Sequence, residues 1–351
     1  MAALPSYIPG LPVKDAALAG FQHVDIPDKM RVQPLWTIPP QGGQDDELAA
    51  YLRGKAQNLR DGPGLHPGWL DARNAEDALD LVVLHVWEEV CATLMGTELR
   101  PVTGPERDPA QQSAAAETAQ QWGNGLGVRI RLGNAPDVDL PPRSRELLGR
   151  LRGHGLELDL LLDLYEVGSA DNGMTRALSG WREFGALAGW RTVALLGGSF
   201  PWGAKQLKDH DLTVWPRLEW QVWEGVRDLL GDRGVCVAFG DYSTVHPRTG
   251  DAPPAQHPFI YEKPRYTTAE HFLIGKGKLR GSGEESRMQT LAARIVGDPE
   301  FRTSHSAGEL WLQAQAAPDV TTNPGSPAVW VQKGHVQHIT FLAGQMNEPD
   351  H

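Results

Sequence analysis

A chain of 351 residues with 40% hydrophobic and 22% charged residues has an ordinary globular balance, which excludes long disorder as its main state. Its formal charge of −11 excludes a broad basic surface of the kind that coats nucleic acid, although a local basic groove stays open. The length exceeds the usual single core, yet α/β barrels reach it as one domain, so residues 1–351 are read as a single barrel domain.

The opening MAALPSYIPGLPVKDAALAG carries no basic segment ahead of an apolar core, and no stretch approaches the ~20 apolar residues of a membrane helix. A cytoplasmic protein without a membrane partner is expected. From there on, short β-branched or leucine-rich runs alternate with helical periodicity, the pattern of βα units on a parallel sheet. Tyr7–Leu11 and Arg31–Thr37 are the first two expected strands. Asp45–Leu59 is a helix whose acidic start suits the positive end of its dipole. Gly68–Ala72 is the third strand, and Asn74 is placed as the N-cap of a helix over Ala75–Met95 with one apolar stripe. Leu99–Thr103 and Val128–Leu132 follow as strands, and Pro141 and Pro142 open a helix through Arg152. Leu158–Glu166 and Thr192–Gly198 are the sixth and seventh strands. Thr213–Trp220 is assigned to a connection, because Pro216 would interrupt a central strand. Leu218–Leu230 is a helix, and Val235–Asp241 is the eighth strand, the number that closes a (β/α)8 TIM-type barrel.

After the last strand the pattern changes. Phe259–Arg265 and His271–Lys276 are expected to form a β-hairpin, within an insertion over residues 255–280 suited to a lid. Residues 284–351 hold helices over Ser286–Val296 and Gly308–Ala316 and a mixed tail. Cys91 and Cys236 each sit in an apolar run and are read as two buried thiols of a reducing compartment.

Active sites of such barrels lie where strands end and βα loops begin. Asp71, Arg131, Asp163 and Asp241-Tyr242 fall there, with Glu166 ending the sixth strand and Ser199 following Gly197-Gly198. Each has a plain alternative. Asp71 is placed to cap the next helix, and Asp163, inside a leucine run, needs a partner whether it is structural or catalytic. Paired glycines at 197 and 198, and Gly240, let backbone N–H groups approach an anion, or they simply make tight turns. No GxxxxGK[ST], strand-anchored GxGxxG, HExxH or paired CxxC occurs, so no P-loop, Rossmann or dedicated zinc site is expected. His335 and His338 lack an obvious third ligand and are read as ordinary packing. No metal ligand and no cofactor is assigned. A carboxylate-bound Mg2+ is compatible with the chain but required by no spacing.

Seven segments stand out in order: Tyr7-Ile8-Pro9, Gly198-Ser199-Phe200-Pro201, Pro216-Arg217-Leu218-Glu219-Trp220, Phe239-Gly240-Asp241-Tyr242, Phe259-Ile260-Tyr261-Glu262-Lys263, Tyr266-Thr267-Thr268 and the tail from Trp330 to His338 with Gln345. Together they resemble the beta protein family, named for a phage protein and widespread in bacteria. Two departures, Leu35-Trp36-Thr37-Ile38-Pro39 without the usual acidic residue and a loose match at Lys14-Asp15, weigh against an N-terminal contribution to the site. The resemblance implies no settled reaction, and the family's distribution suggests virus–host conflict. It adds Arg217, Glu219, Glu262 and Lys263 to the candidates. Asp241, Glu219, Tyr242 and Lys263 are then the expected catalytic groups. Asp71, Arg131, Asp163, Gly197, Gly198, Ser199, Arg217, Gly240 and Glu262 are the expected binding groups. Two functions fit: an enzyme, hydrolase or transferase, acting on a small phosphorylated or nucleotide-like ligand, or a non-catalytic sensor with a protein partner in phage defence.

Overall fold

Eight parallel strands close on themselves in the computed structural model. In order they are β1 (Tyr7–Pro12), β2 (Leu35–Thr37), β3 (Gly68–Asp71), β4 (Leu99–Thr103), β5 (Leu126–Arg131), β6 (Leu158–Glu166), β7 (Trp190–Gly198) and β9 (Ala238–Asp241). Closure is made by β9, which pairs with β7 through Gly197↔Asp241 and with β1 through Pro9↔Asp241. The structure describes residues 7–41, 45–62, 66–91, 99–135, 137–251, 263–277, 287–317 and 325–346.

Side chains alternate across the barrel wall because the strand period is two. Ile8, Leu35, Trp69, Val102, Leu161, Leu196 and Ala238 fill the interior. Their chain neighbours Tyr7, Trp36, Leu70, Leu160, Leu162, Leu195 and Phe239 face the helices and join the larger core. Each such aliphatic side chain stabilises the fold by roughly 1.5–3 kcal/mol through burial. The N-terminal end of the interior is sealed by Asp159, which accepts from Trp69 Nε1 at 2.9 Å and from Arg191 Nε at 2.9 Å. Two residues beyond Trp69 and Leu161, the inward positions are Asp71 and Asp163, and that change of chemistry defines the other end.

The structure corrects several sequence readings. Leu212–Pro216 is a strand, β8, not a connection. It escapes the proline objection because it lies outside the barrel and Pro216 is its last residue. It pairs antiparallel with β11 (His271–Gly275), which in turn pairs with β10 (Arg265–Thr267), so the expected hairpin is part of a three-stranded sheet. The N-terminal arm expected over Phe259–Glu262 lies outside the described residues.

The helix expected from Ala75 is broken. A 3-10 turn over Arg73–Ala78 leads through short α segments into a π turn over Val83–Trp87, and Asn74 caps nothing. Its amide instead donates to the carbonyls of Ile38 and Gly250. The mixed tail is one helix, Pro327–Gln345, opened by the Ser326 side chain. Its polar His335, Gln337 and His338 are buried along with its apolar residues, so it carries no amphipathic stripe to read. Cys91 is buried as expected, but Cys236 is exposed, because the last strand begins at Ala238 instead of Val235. No helix among the described residues is long and apolar enough to cross a membrane.

Candidate functional site

At the C-terminal end of the barrel, strand alternation sends Arg129 and Arg131 of β5 inward together. Arg129 is wholly buried and ties three strands to its own. It donates from Nη1 to Asp71 at 2.7 Å, from Nε and Nη2 to Asp163 at 3.0 and 2.7 Å, and from Nη2 to the Tyr242 hydroxyl at 2.8 Å. Tyr242 passes its own proton toward Asp163, 2.7 Å away. Arg107, from the loop after β4, reaches Asp71 Oδ1 at 3.0 Å and also pairs with Glu76 and Glu106.

Electrostatics sets the protonation of this cluster. Burial alone would push the Asp71 carboxyl up, but Arg107 and Arg129 outweigh it and hold it well below the usual range. Asp163 is also held low against burial, by Arg129 and Arg131. Burial, then Asp163, pushes the Tyr242 phenol far up. The two carboxylates are therefore ionised and the phenol neutral across the physiological range. Desolvating such charges is tolerable only because every one is paired.

Arg131 stands at the rim with its side chain 24% exposed. Its guanidinium lies 4.0 Å from the centroid of the Tyr165 ring, and its Nε is 3.5 Å from Asp163. Tyr165 has φ of 59°, where β6 bulges between Asp163 and Glu166, and its N–H is pinned to Asp163 Oδ1 at 2.7 Å. A non-glycine residue in the left-handed region costs about 1–3 kcal/mol and survives only where its surroundings impose it. Arg73 joins from the loop after β3. Its Nη1 is buried without a hydrogen-bond partner among the described residues. Its pKa is lowered by burial and then by Arg129, with Arg131 and Arg107 adding to the effect.

The structure brings Asp71, Arg131, Asp163 and Tyr242 together. It does not bring Asp241, Glu219, Ser199 or Arg217 to them. These four occupy a second network on the helix side of the wall. Asp241 Oδ1 accepts from the Tyr7 hydroxyl at 2.6 Å and from Ser243 N–H at 2.8 Å, and Oδ2 lies 2.7 Å from His338 Nε2. His338 Nδ1 is 2.8 Å from the Thr267 hydroxyl, so both ring nitrogens have buried partners. Burial raises Asp241, yet His338 and Tyr7 hold it below its ordinary value.

Glu219 behaves differently. Burial carries it from its ordinary value of 4.5 to about 7, despite the nearby Arg217. The Ser199 hydroxyl lies against Glu219 Oε2 and is 2.9 Å from the Pro216 carbonyl. The Ser199 N–H also donates to Glu219 Oε2, at 3.1 Å. Arg217 donates to the carbonyls of Thr268 and Ala269, and its Nε lies 3.9 Å from Glu219.

The glycines expected to cradle an anion are occupied by packing. A Cβ on Gly198 would meet Pro247 at 2.8 Å and the Tyr242 ring at 3.1 Å, so Gly198 makes room for that ring. Gly197 is backed by Val167 and Gly240 by Leu196. Lys263 is half-buried, lowered to about 8 by burial and then Arg265; its carbonyl accepts from Arg265, and its ammonium has no hydrogen-bond or ion-pair partner among the described residues. Glu262 lies outside the described residues. Sequence reasoning missed Arg73, Arg107, Arg129, Tyr7 and His338. Arg129 had a usable signal, since it shares a strand face with Arg131, and Tyr7 and His338 lie in the family-like segments; Arg73 and Arg107 had none. His335 and His338, read as ordinary packing, are buried hydrogen-bonding residues of the second network, with His335 Nδ1 2.8 Å from the Ser243 hydroxyl.

Residues 7–344 match the family described as Beta protein. No curated protein matches the chain. Among solved structures, thiamine phosphate pyrophosphorylase from Pyrococcus furiosus is similar at 10% identity over 68% of this chain and 86% of that chain, with a TM-score of 0.30.

Proposed function

We propose, for a chain that belongs to the Beta protein family, that the C-terminal mouth of the barrel binds a small phosphorylated or nucleotide-like anion. The observation that carries this reading is Arg73. Its guanidinium is drawn into a crowd of three other arginines and keeps a buried Nη1 donor with no acceptor among the described residues. A buried unmet donor is costly, and an anionic oxygen satisfies it with a charge-assisted hydrogen bond. The strained Tyr165 under Arg131 supports the same place, since such strain concentrates at ligand sites.

Binding is favoured over catalysis by the protonation states. Asp71 and Asp163 are held low and Tyr242 high, so none of the three is poised to exchange a proton near neutral pH. Glu219, whose value is near neutral, is sealed in the second network. A hydrolase or transferase acting through these residues is the lesser reading. A role in phage–host conflict, a protein partner and a cytoplasmic location rest on family likeness and composition alone. Mg2+ enters only as a companion of a phosphorylated ligand, because Asp71 and Asp163 are taken by arginines.

The test is thermal unfolding of the whole chain with inorganic phosphate, sugar phosphates and nucleotides, with and without Mg2+. A ligand at a hundred times its Kd stabilises by about 2.7 kcal/mol, and Arg73→Ala is expected to abolish that gain. No shift with any of these compounds, or an equal shift in Arg73→Ala, would remove the proposal.

A further inference from the structure

The mouth is crossed by one short turn of the chain, Arg248–Asp251, just after the last barrel strand. It is tied to four other strand ends. Lys14 Nζ donates to the Thr249 carbonyl at 2.8 Å, and Asn74 Nδ2 donates to the Gly250 carbonyl at 3.2 Å. Arg248 Nη2 is 3.3 Å from Glu166 Oε2, and both η nitrogens of Arg131 lie 3.2 Å from Asp251 Oδ2. Burial and then the nearby Asp251 carboxylate raise the Tyr165 phenol to about 12, which places that ring beside the same pair. No residue of the turn is buried, so the contacts that hold it are polar, partly exposed and replaceable one by one. Beneath it remains a cavity of about 10 Å3, lined by Thr37, Arg129, Tyr242, Pro247 and Asp251, room for about one water.

Charge explains why the turn sits there. Four arginines, Arg73, Arg107, Arg129 and Arg131, meet at the inner mouth, where Asp71 and Asp163 are the buried carboxylates and Glu76 and Glu106 pair with Arg107. At the rim, Asp251 is the carboxylate that pairs with Arg131. We infer that Asp251 is an internal stand-in for the anionic group of the ligand, and that a phosphate-bearing small molecule enters by replacing its carboxylate on Arg131, beside the Tyr165 ring, and displacing the turn. This inference rests on the anion-binding reading of the mouth. A ligand that must first displace an internal competitor binds more weakly, by the fraction of molecules in which the turn is open.

The experiment is titration calorimetry of the full chain with inorganic phosphate. Asp251→Asn keeps the side chain's shape and removes its charge, and is expected to bind about tenfold more tightly than the wild type. Arg248→Ala separates displacement from plain electrostatics. It removes a positive charge from the rim, which by charge alone weakens anion binding, yet it frees the turn from Glu166. Tighter binding in Arg248→Ala is the expected result. Equal affinities in the wild type and Asp251→Asn, or weaker binding in Arg248→Ala, would overturn the displacement while leaving anion binding intact. Absence of binding in all three proteins would overturn both.

Discussion

Asp241 and Tyr242 are consecutive in the chain and belong to different networks on opposite sides of the barrel wall. Asp241 points to the helices, where Tyr7 and His338 hold it, while Tyr242 points inward to Asp163 and Arg129. The alternation of an extended strand forces this division. It makes the two residues separable by mutation.

Asp241→Asn is expected to destabilise the protein by roughly 1–3 kcal/mol, because the buried Tyr7, Ser243 and His338 then lose their charged partner. Anion binding at the mouth, on the other side of the wall, should persist in the folded fraction. Urea unfolding and phosphate titration of the same variant check both halves. A variant as stable as wild type that no longer binds anions would show that Asp241 serves the site after all.

Arg129→Met replaces the central guanidinium with an apolar chain of similar reach and leaves Asp71 and Asp163 undercompensated. The expected loss at neutral pH is about 3–5 kcal/mol. Asp71 and Asp163 have folded-state values below their unfolded ones, so their contribution is present above the unfolded carboxylate pKa and is lost as pH falls. The gap between wild type and variant should therefore narrow only below the ordinary carboxylate value of 3.8. Denaturation at pH 7 and at about pH 3 measures it, and a gap that is constant with pH would assign the cost to packing.

Glu219 supplies the opposite slope. Its folded-state value of about 7 exceeds its ordinary 4.5, so between these limits the folded state holds more protons than the unfolded one. Stability from this group is fully present below the unfolded value and falls as pH rises toward 7. Glu219→Gln removes the titration, and its stability relative to wild type should rise across that window by on the order of 3 kcal/mol. Parallel stability curves for the two proteins would show that Glu219 titrates normally.

Much of the barrel was legible because repetition carries it. Runs such as Leu158–Glu166 and Trp190–Gly198 are long, apolar and bounded by turn residues, and eight of them at βα spacing allow few closures. The strand ends named Asp71, Arg131, Asp163 and Asp241 from sequence alone, because a charged residue ending an apolar strand is a local signal. What those charges face is not local. A one-residue difference in position sends Tyr242 into the barrel and Asp241 out of it, and the barrel's closure decides which is which. Arg107 and Arg73 reach the mouth from loops, and His338 reaches Asp241 across 97 residues of chain, distances that leave no trace in spacing. The local hydrophobic pattern determined the wall of this protein. Only the long-range electrostatics of its folded form decided which charges meet.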